Sequence, residues 1–180
     1  MHILILSLLL FSCGSPNSNQ TEEVHSKNQT FETVNFAFQY PNNWREGALM
    51  EGLTAHVEES DTPDEFRDGI LYLSTNFSVF KEISNEKSLD KTGDKYEEKI
   101  LNSLVFSNGK IESREKIKFA GTDALEFFGS AQLQKWNVRW KIVILHYNGN
   151  YFEISTMSEV KRFEDMKTTI DPIFESFEFK

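Results

Sequence analysis

The chain has 180 residues, with 28 acidic residues against 19 Lys and Arg, so its formal net charge at pH 7 is −9. Nucleic-acid phosphates repel a chain of this charge, and we expect no DNA or RNA partner. One cysteine excludes an internal disulfide, while 16 Phe, 5 Tyr and 3 Trp can fill a large apolar core.

An uncharged apolar run at residues 3–11 leads directly to Ser12 and Cys13. A run of about nine residues is too short for a transmembrane helix, which needs ~20, but it suits the apolar region of a secretory signal. With a small residue before the cysteine, the segment resembles a bacterial lipoprotein signal. The resemblance implies a signal peptide at 1–12, acylation of Cys13 (palmitate among the chains), and anchoring to a cell-envelope membrane on its periplasmic or surface side. The alternative is an ordinary signal peptide with a chance cysteine.

The next segment, residues 14–30, is rich in Ser, Asn, Gln, Thr and Glu and has few apolar side chains. This composition is typical of a flexible tether. We therefore predict the lipidated cysteine and tether at 13–30, and one domain at 31–180.

The domain begins with alternating apolar residues at Val34, Phe36, Phe38 and Tyr40, which predict a strand that stops at Pro41. A weaker strand signal follows at residues 53–59, and the composition of a second apolar stretch at 70–80 favours a strand over a helix. Helical periodicity then predicts a helix over 88–105, with Ser88 as its N-cap and Gly93 weakening its first turn. The apolar face of that helix consists of Leu89, Tyr96, Ile100 and Leu104.

Four strands are predicted in series at 110–119, 122–133, 135–147 and 151–157. Asn148 and Gly149 separate the last two, and this pair is typical of a tight hairpin turn, so the sheet should be antiparallel. One face of 135–147 is apolar throughout, and the other is apolar over its second half. The predicted fold class is therefore α+β, an antiparallel β-sheet covered by helices on both faces.

A C-terminal helix over 159–171 can supply part of that cover, because Phe163, Met166 and Ile170 recur at helical spacing. Asp171 and Pro172 are expected to end this helix and to begin a short second one.

Four short patterns occur in a fixed order along the domain: Tyr40-Pro41-x-x-Trp44, Ser88-Leu89, Gly121-x-x-Ala124 and Ile173-Phe174-x-Ser176-Phe177. Together they resemble the PsbP-like family over residues 31–180. The resemblance implies an antiparallel sheet between helices. It also implies mostly non-enzymatic roles: an extrinsic photosystem II subunit, a nuclear factor that binds a small GTPase, and secretion chaperones that shield hydrophobic segments.

Sequence motifs of common enzyme classes are absent: the chain has no Gly-x-Ser-x-Gly, no His-Glu-x-x-His and no phosphate loop. We therefore predict no enzymatic activity, no cofactor and no metal site. His56 and His146 fall in predicted strands, where a packed or edge histidine is favoured over a ligand or a base. The acidic residues at 58–68 lack the ligand spacing of a calcium loop and predict a solvated loop.

A basic patch is the best binding surface that the sequence offers. Lys110, Arg114, Lys116 and Lys118 alternate along one strand, and we expect them to be joined by Arg139 and Lys141. Such a patch could dock an acidic partner or the headgroups of the anchoring membrane. The alternative is a solvated face, or a sheet edge that lysines protect from aggregation.

The favoured interpretation is a membrane-anchored, non-enzymatic binding or accessory lipoprotein, with an unknown protein as partner. The alternative is a carrier or chaperone that holds a hydrophobic ligand or segment between sheet and helix. An unrecognised enzyme ranks third. An apolar cleft that opens to solvent would favour the carrier.

Overall fold

The computed structural model describes residues 28–60, 73–103, 106–134 and 136–180. Within them lie two antiparallel sheets and two helices. The strands are β1 (Gln29–Glu32), β2 (Phe36–Tyr40), β3 (Trp44–Glu46), β4 (Leu53–Glu59), β5 (Asn76–Ile83), β6 (Phe106–Phe119), β7 (Thr122–Leu133), β8 (Trp136–Tyr147), β9 (Asn150–Glu159) and β10 (Glu178–Phe179), and the helices are α1 (Leu89–Leu101) and α2 (Val160–Glu175). The large sheet has the order β3-β4-β5-β9-β8-β7-β6, and the small sheet has the order β1-β2-β10.

The predicted hairpin series forms the centre of the large sheet, where β6, β7, β8 and β9 pair in sequence. The turn between β8 and β9 has φ values of 49° at Asn148 and 73° at Gly149, so both residues have the left-handed backbone that this turn requires. The antiparallel sheet predicted from the sequence is therefore confirmed.

The N-terminus of α1 also follows the prediction. The Ser88 Oγ accepts a hydrogen bond from the Lys91 backbone N–H at 3.3 Å and caps the first turn. The helix ends at Leu101, earlier than predicted, and the last two residues of the predicted helix, 104–105, lie outside the described residues.

The prediction that α2 ends at Asp171 is wrong, because Pro172 lies inside one continuous helix. An interior proline removes a backbone hydrogen bond and costs ~3 kcal/mol or more. Here the helix continues because its next turn buries Ile173 and Phe174 in the core, at 1% and 5% exposure. Their burial offsets the lost hydrogen bond.

Two apolar clusters lie on opposite faces of the large sheet, since successive side chains of a strand alternate between faces. On one face, which we call the α1 face, Ile142 and Ile144 of β8 pack with Tyr96 and Ile100 of α1, and this group is the α1 cluster. On the other, the intervening β8 residues Val143 and Leu145 pack with α2 and the small sheet. Members of that second cluster include Phe36, Phe38, Ile170, Ile173, Phe174 and Phe177.

The small sheet was only partly anticipated. β2 follows the predicted aromatic alternation, but Val34 is 90% exposed and precedes the strand. β1 begins at Gln29, two residues before the predicted start of the domain, and pairs with β2. Residues 1–27, which include the predicted signal and Cys13, lie outside the described part of the chain. Among the described helices, neither is long and apolar enough to cross a membrane.

Candidate functional site

The two faces of the large sheet are covered to different extents. Seven strands at about 4.8 Å spacing make a sheet roughly 29 Å wide, whereas a helix with its side chains is about 10 Å across. α1 packs chiefly against β6, β7 and β8. Part of the same face, on β4, β5 and β9, is therefore left beside the helix rather than under it.

A groove occupies that space between α1 and the sheet. Its volume is about 310 Å³, and its lining is mainly apolar. We call it the α1 groove. The lining residues come from the β3–β4 connection, β4, β5, α1 and its C-terminal end, β6, β8 and β9: Met50, Leu53, His56, Asn76, Ser78, Tyr96, Lys99, Ile100, Ser103, Phe106, Trp140, Ile142, Glu153, Ser155, Thr156 and Met157.

The position of α1 over the sheet depends on a close approach at Gly93. A Cβ built on Gly93 would lie 2.6 Å from both Arg114 Nη2 and Leu125 Cδ1. The glycine therefore lets the helix backbone lie against β6 and β7. One turn later, the Tyr96 ring packs against Phe127, with ring centroids 5.2 Å apart, and reaches the groove.

Two residues of this lining each carry a buried hydrogen-bond donor that has no partner among the described residues. These donors are the Tyr96 hydroxyl and the Trp140 indole N–H, and we call them the groove donors. Tyr96 is only 3% exposed as a residue, and Trp140 is only 2% exposed. A buried donor without an acceptor costs about 1–3 kcal/mol. Burial also raises the pKa of Tyr96, so its hydroxyl keeps its proton at physiological pH.

Glu153 of β9 supplies the carboxylate of the groove. Its Oε2 lies 3.7 Å from Lys99 Nζ and accepts a hydrogen bond from the Tyr151 hydroxyl at 3.2 Å. Burial raises the pKa of Glu153, and the nearby Lys99 ammonium partly opposes that rise. The lysine side chain is 68% exposed, so it stands at the mouth, whereas that of Glu153 is only 17% exposed.

The wall opposite α1 is formed by β4 and β5. There the His56 Nδ1 lies 2.8 Å from the Ser78 Oγ, its register partner on the next strand. The backbone before the strand passes close to the imidazole, since a Cβ on Gly47 would lie 2.2 Å from His56 Cδ2. Met50 borders the groove and is 72% exposed, so the rim is apolar on this side.

Both described histidines take part in contacts within the fold, as the favoured interpretation predicts. His146 on β8 lies 2.9 Å, Nε2 to Oγ1, from Thr92 of α1, and burial lowers its pKa. His56 bonds to Ser78 as described. The described residues contain no cluster of three or more His, Cys, Asp or Glu side chains placed to hold a metal ion.

The acidic residues at 58–68 lie only partly in the described chain. Glu58 is 2.9 Å from Arg45 Nη2, and Glu59 is 2.7 Å from Arg162 Nη2 of α2. These two residues therefore belong to β4 and its ion pairs. The rest of the stretch falls in 61–72, outside the described residues.

The predicted basic patch is divided between the two faces of the sheet. Arg114 and Lys116 pair in register with Phe127 and Leu125, so they lie on the α1 face. Lys118 pairs with Asp123 on the same face. By contrast, Arg139 and Lys141 alternate with Trp140 on β8 and lie on the α2 face. This corrects the expectation of one continuous patch.

A β-bulge between Ile111 and Ser113 of β6 also separates Lys110 from the other basic residues of that strand. Because a bulge inserts one extra residue, it reverses the alternation of side chains before it. Ile111 consequently packs with the α1 cluster, on the face of Arg114, and Lys110 pairs with Ser130 on the opposite face. β6 is also the edge strand of the large sheet, which fits the alternative interpretation of its lysines as edge protection.

All five residues of the predicted site bind carboxylates of this chain. Arg114 contacts Asp94 at 2.8 Å and Glu97 at 3.0 Å, while Lys116 and Lys118 contact Asp90 and Asp123, each at 2.9 Å. On the other face, Arg139 binds Glu112 and Glu164, and Lys141 binds Glu126 and Asp171. Contact with an acidic partner through either group stays a prediction.

The sequence pattern placed Tyr96 and Trp140 on apolar faces but did not indicate their place in the groove. One signal was available: Tyr and Trp have polar atoms that need a partner when the ring is buried. A second was the alternation in β9, where Tyr151, Glu153 and Ser155 share one face. Polar residues at every second position indicate that this part of the face is not fully covered.

No protein-family model and no curated protein matches the chain, but solved structures do. The cyanobacterial PsbP (CyanoP) of Synechocystis sp. PCC 6803 is 14% identical with a TM-score of 0.63, over 95% of this chain and 99% of that chain. LpqN of Mycobacterium tuberculosis, which is involved in cell envelope biogenesis, is 11% identical with a TM-score of 0.58, over 87% of each chain. The Ran-binding protein Mog1p of Saccharomyces cerevisiae is 10% identical with a TM-score of 0.58, over 85% and 95%.

The fold is PsbP-like. This agrees with the resemblance found in the sequence. At identities of 10–14%, these structures show a shared fold and do not transfer the role of any residue. Function must therefore be argued from the α1 groove itself.

Proposed function

We propose that this chain is a lipid-anchored, non-enzymatic binding protein of the bacterial cell envelope, and that it carries a hydrophobic ligand in the α1 groove. Cys13 holds the protein on a membrane through its acyl chains, the polar residues after it form the tether, and a helix covers each face of the large sheet. The lipoprotein-like signal supports the anchor. The description of LpqN, a structural neighbour, as involved in cell envelope biogenesis supports the compartment.

The observation that carries the proposal is the combination of an apolar groove with two buried donors. The groove of about 310 Å³ lies in the size range of ligand sites, which are apolar with a few placed polar groups. Within the described chain, the Tyr96 hydroxyl and the Trp140 N–H have no acceptor. A bound ligand that supplies one recovers the free energy that the free protein loses there.

This geometry favours the carrier over an accessory module with a filled core. A second hollow, of about 450 Å³, lies on the α2 side near Tyr40 and Trp44, but its lining is mainly polar. One hydroxyl in the groove does lie beside a base: the His56 Nδ1 is 2.8 Å from the Ser78 Oγ, and the other imidazole nitrogen lies 3.7 Å from Glu58. Ser78 is only 9% exposed as a residue, and this burial limits the access of a substrate to its hydroxyl.

The test is saturable binding of an uncharged fluorescent hydrophobe, N-phenyl-1-naphthylamine, to the full chain carrying Cys13→Ser. We expect a single class of site. Ser155→Phe fills the groove from β9 and should weaken binding about tenfold or more, which corresponds to about 1.4 kcal/mol.

Ser107→Phe is the matched control, because Ser107 is exposed on β6 and lies outside the groove lining. It should bind the probe as the parent does. Binding that does not saturate, or that is equal in Ser155→Phe and Ser107→Phe proteins with similar melting temperatures, contradicts the proposed function.

A further inference from the structure

We propose that the ligand of the α1 groove is a single acyl chain joined to an uncharged carbonyl group, as in an ester or an amide, whose oxygen accepts hydrogen bonds from the groove donors. This inference rests on the proposed function and specifies its ligand.

The donors determine which polar atom the ligand must offer. An indole N–H can only donate, and the Tyr96 hydroxyl already lacks an acceptor among the described residues. The complementary atom is therefore an acceptor oxygen. A carbonyl oxygen has two lone pairs and can accept from both donors, whereas an ammonium group has only donors and would leave both unpaired.

Glu153 determines that this acceptor is uncharged. Its side chain is 17% exposed and already shares the nearby Lys99 ammonium at 3.7 Å. A carboxylate on the ligand would add a second negative charge to the same low-dielectric space with no free cation among the described lining residues. Burying such a charge costs several kcal/mol in general. A carbonyl avoids this cost.

The volume of the groove and the flexible side chains in its lining favour an alkyl chain. The groove has about twice the volume of a ~150 Å³ cavity that holds benzene, so it fits roughly a dozen apolar heavy atoms. Met50 and Met157 contribute flexible side chains that adapt to a flexible ligand. A peptide segment would instead bring a backbone N–H and C=O at every residue, and a mainly apolar lining would leave most of them unpaired.

The surface at the mouth fits delivery from a membrane. Leu49 and Met50 in the β3–β4 connection are 57% and 72% exposed, and Leu101 at the end of α1 is 55% exposed. Two of these positions adjoin groove residues directly, Leu49 before Met50 and Leu101 after Ile100. Exposed apolar side chains at a groove mouth are typical of a surface that meets other apolar material.

The test compares three probes of equal chain length on the full chain carrying Cys13→Ser: methyl decanoate, decanoate and decane. We expect methyl decanoate to bind about tenfold more tightly than decane, and about tenfold more tightly than decanoate at pH 8. In ¹H–¹⁵N spectra, the Trp140 indole N–H resonance should move with the ester and not with decane.

Tyr96→Phe combined with Trp140→Phe keeps an aromatic ring at each position, with a smaller ring at 140, and removes both donors. That protein should still bind decane and should lose the preference for the ester. Tyr40→Phe is the control, because the Tyr40 hydroxyl lies on the far side of the sheet, bonded to Gln29 and Glu46. It should keep the preference.

The outcomes separate the two proposals. If decane binds as tightly as the ester, or if decanoate or a ten-residue Ala/Leu peptide binds more tightly, the inference about the ligand is overturned while the carrier function stands. If none of the probes shows saturable binding, and N-phenyl-1-naphthylamine does not bind either, the proposed function is overturned with it.

Discussion

The Trp140 indole lies directly against Gly129, its register partner on the neighbouring strand. A Cβ built on Gly129 would fall 2.1 Å from the indole Cζ2, a distance that no side chain tolerates. The absence of a side chain on β7 is therefore what places the indole, and with it one of the two groove donors. Structure at the groove thus depends on a residue that does not line it.

Gly129→Ala should consequently displace the indole. Overpacking of a filled core typically costs about 1–3 kcal/mol, and we expect a loss of that size in urea melts together with a shift in tryptophan emission. A double-mutant cycle with Trp140→Leu separates the causes, because the added methyl would also meet the Lys110 carbonyl oxygen at 2.5 Å. If Gly129→Ala costs the same in both backgrounds, the carbonyl and not the indole is responsible.

Trp140→Ala should destabilise the domain by about 3–5 kcal/mol, since Trp140 is 2% exposed and packs in the α1 cluster. Trp136→Ala is a matched control on the same strand and face, and its side chain is only half-buried. Its cost should be clearly smaller. A loss below about 1 kcal/mol for Trp140→Ala would contradict the packing described here.

Arg114 should contribute more to stability than the other cations of β6. Its guanidinium joins the sheet to α1 through Asp94 and Glu97 and lies 5.8 Å from the Phe127 ring centre. Arg114→Ala should cost about 1.5–3 kcal/mol, the range for hydrogen bonds to charged groups.

The exposed pair of Lys118 and Asp123 provides the comparison, with 70% and 80% exposed side chains. Lys118→Ala should change stability by less than about 0.5 kcal/mol. The difference between the two variants should shrink in 1 M salt, because salt screens charges. Equal effects would show that the α1 contacts of Arg114 add nothing.

Glu153 makes stability depend on pH. Burial raises the pKa of this carboxyl above its ordinary value of 4.5, so the folded state binds the proton more tightly than the unfolded state does. Its contribution to stability is therefore greatest below pH 4.5 and is lost as the pH rises through the raised pKa. Relative to Glu153→Gln, the wild-type free energy of unfolding should fall over that window.

Glu178→Gln controls for the loss of one negative charge, since Glu178 is exposed on β10. The measurement is a set of urea melts between pH 4 and pH 8. A wild-type advantage over Glu153→Gln that grows with pH has the opposite sign and would falsify the burial argument.

Cys13→Ser should move the protein from the membrane fraction to the soluble fraction, or stall its processing. Stable anchoring requires two acyl chains, and we propose that every acyl chain of this protein is attached at Cys13. Ser12→Ala keeps a small residue before the cysteine and should stay in the membrane fraction. Labelled palmitate found on the Cys13→Ser protein would show that the attachment site lies elsewhere.

Local pattern was sufficient for most elements of this fold. Ser88 predicted the start of α1, and Asn148 with Gly149 predicted the β8–β9 turn, because capping and turn geometry depend on a few adjacent residues. The same reasoning failed at Pro172, where a local rule predicted a helix end. The burial of Ile173 and Phe174 is a tertiary effect, and it outweighs the rule.

The basic residues show a second limit of sequence patterns. Alternation along β6 correctly placed Arg114, Lys116 and Lys118 on one face. Whether Arg139 belongs beside them depends on strand register, and register is fixed by pairing between distant segments. No periodicity within β8 carries that information, so the division of the patch between two faces was decided only by the tertiary structure.

By itself, the sequence determined the antiparallel α+β fold, where each of the two helices starts, the apolar face that contains Trp140 and the lipoprotein-like signal before Cys13. These are properties of short segments, since periodicity, capping and composition act locally. The α1 groove was decided only by the tertiary structure. It exists because one helix, drawn close to the sheet at Gly93, covers part of a seven-stranded face. The groove donors are also a tertiary feature, because no nearby acceptor among the described residues reaches Tyr96 and Trp140.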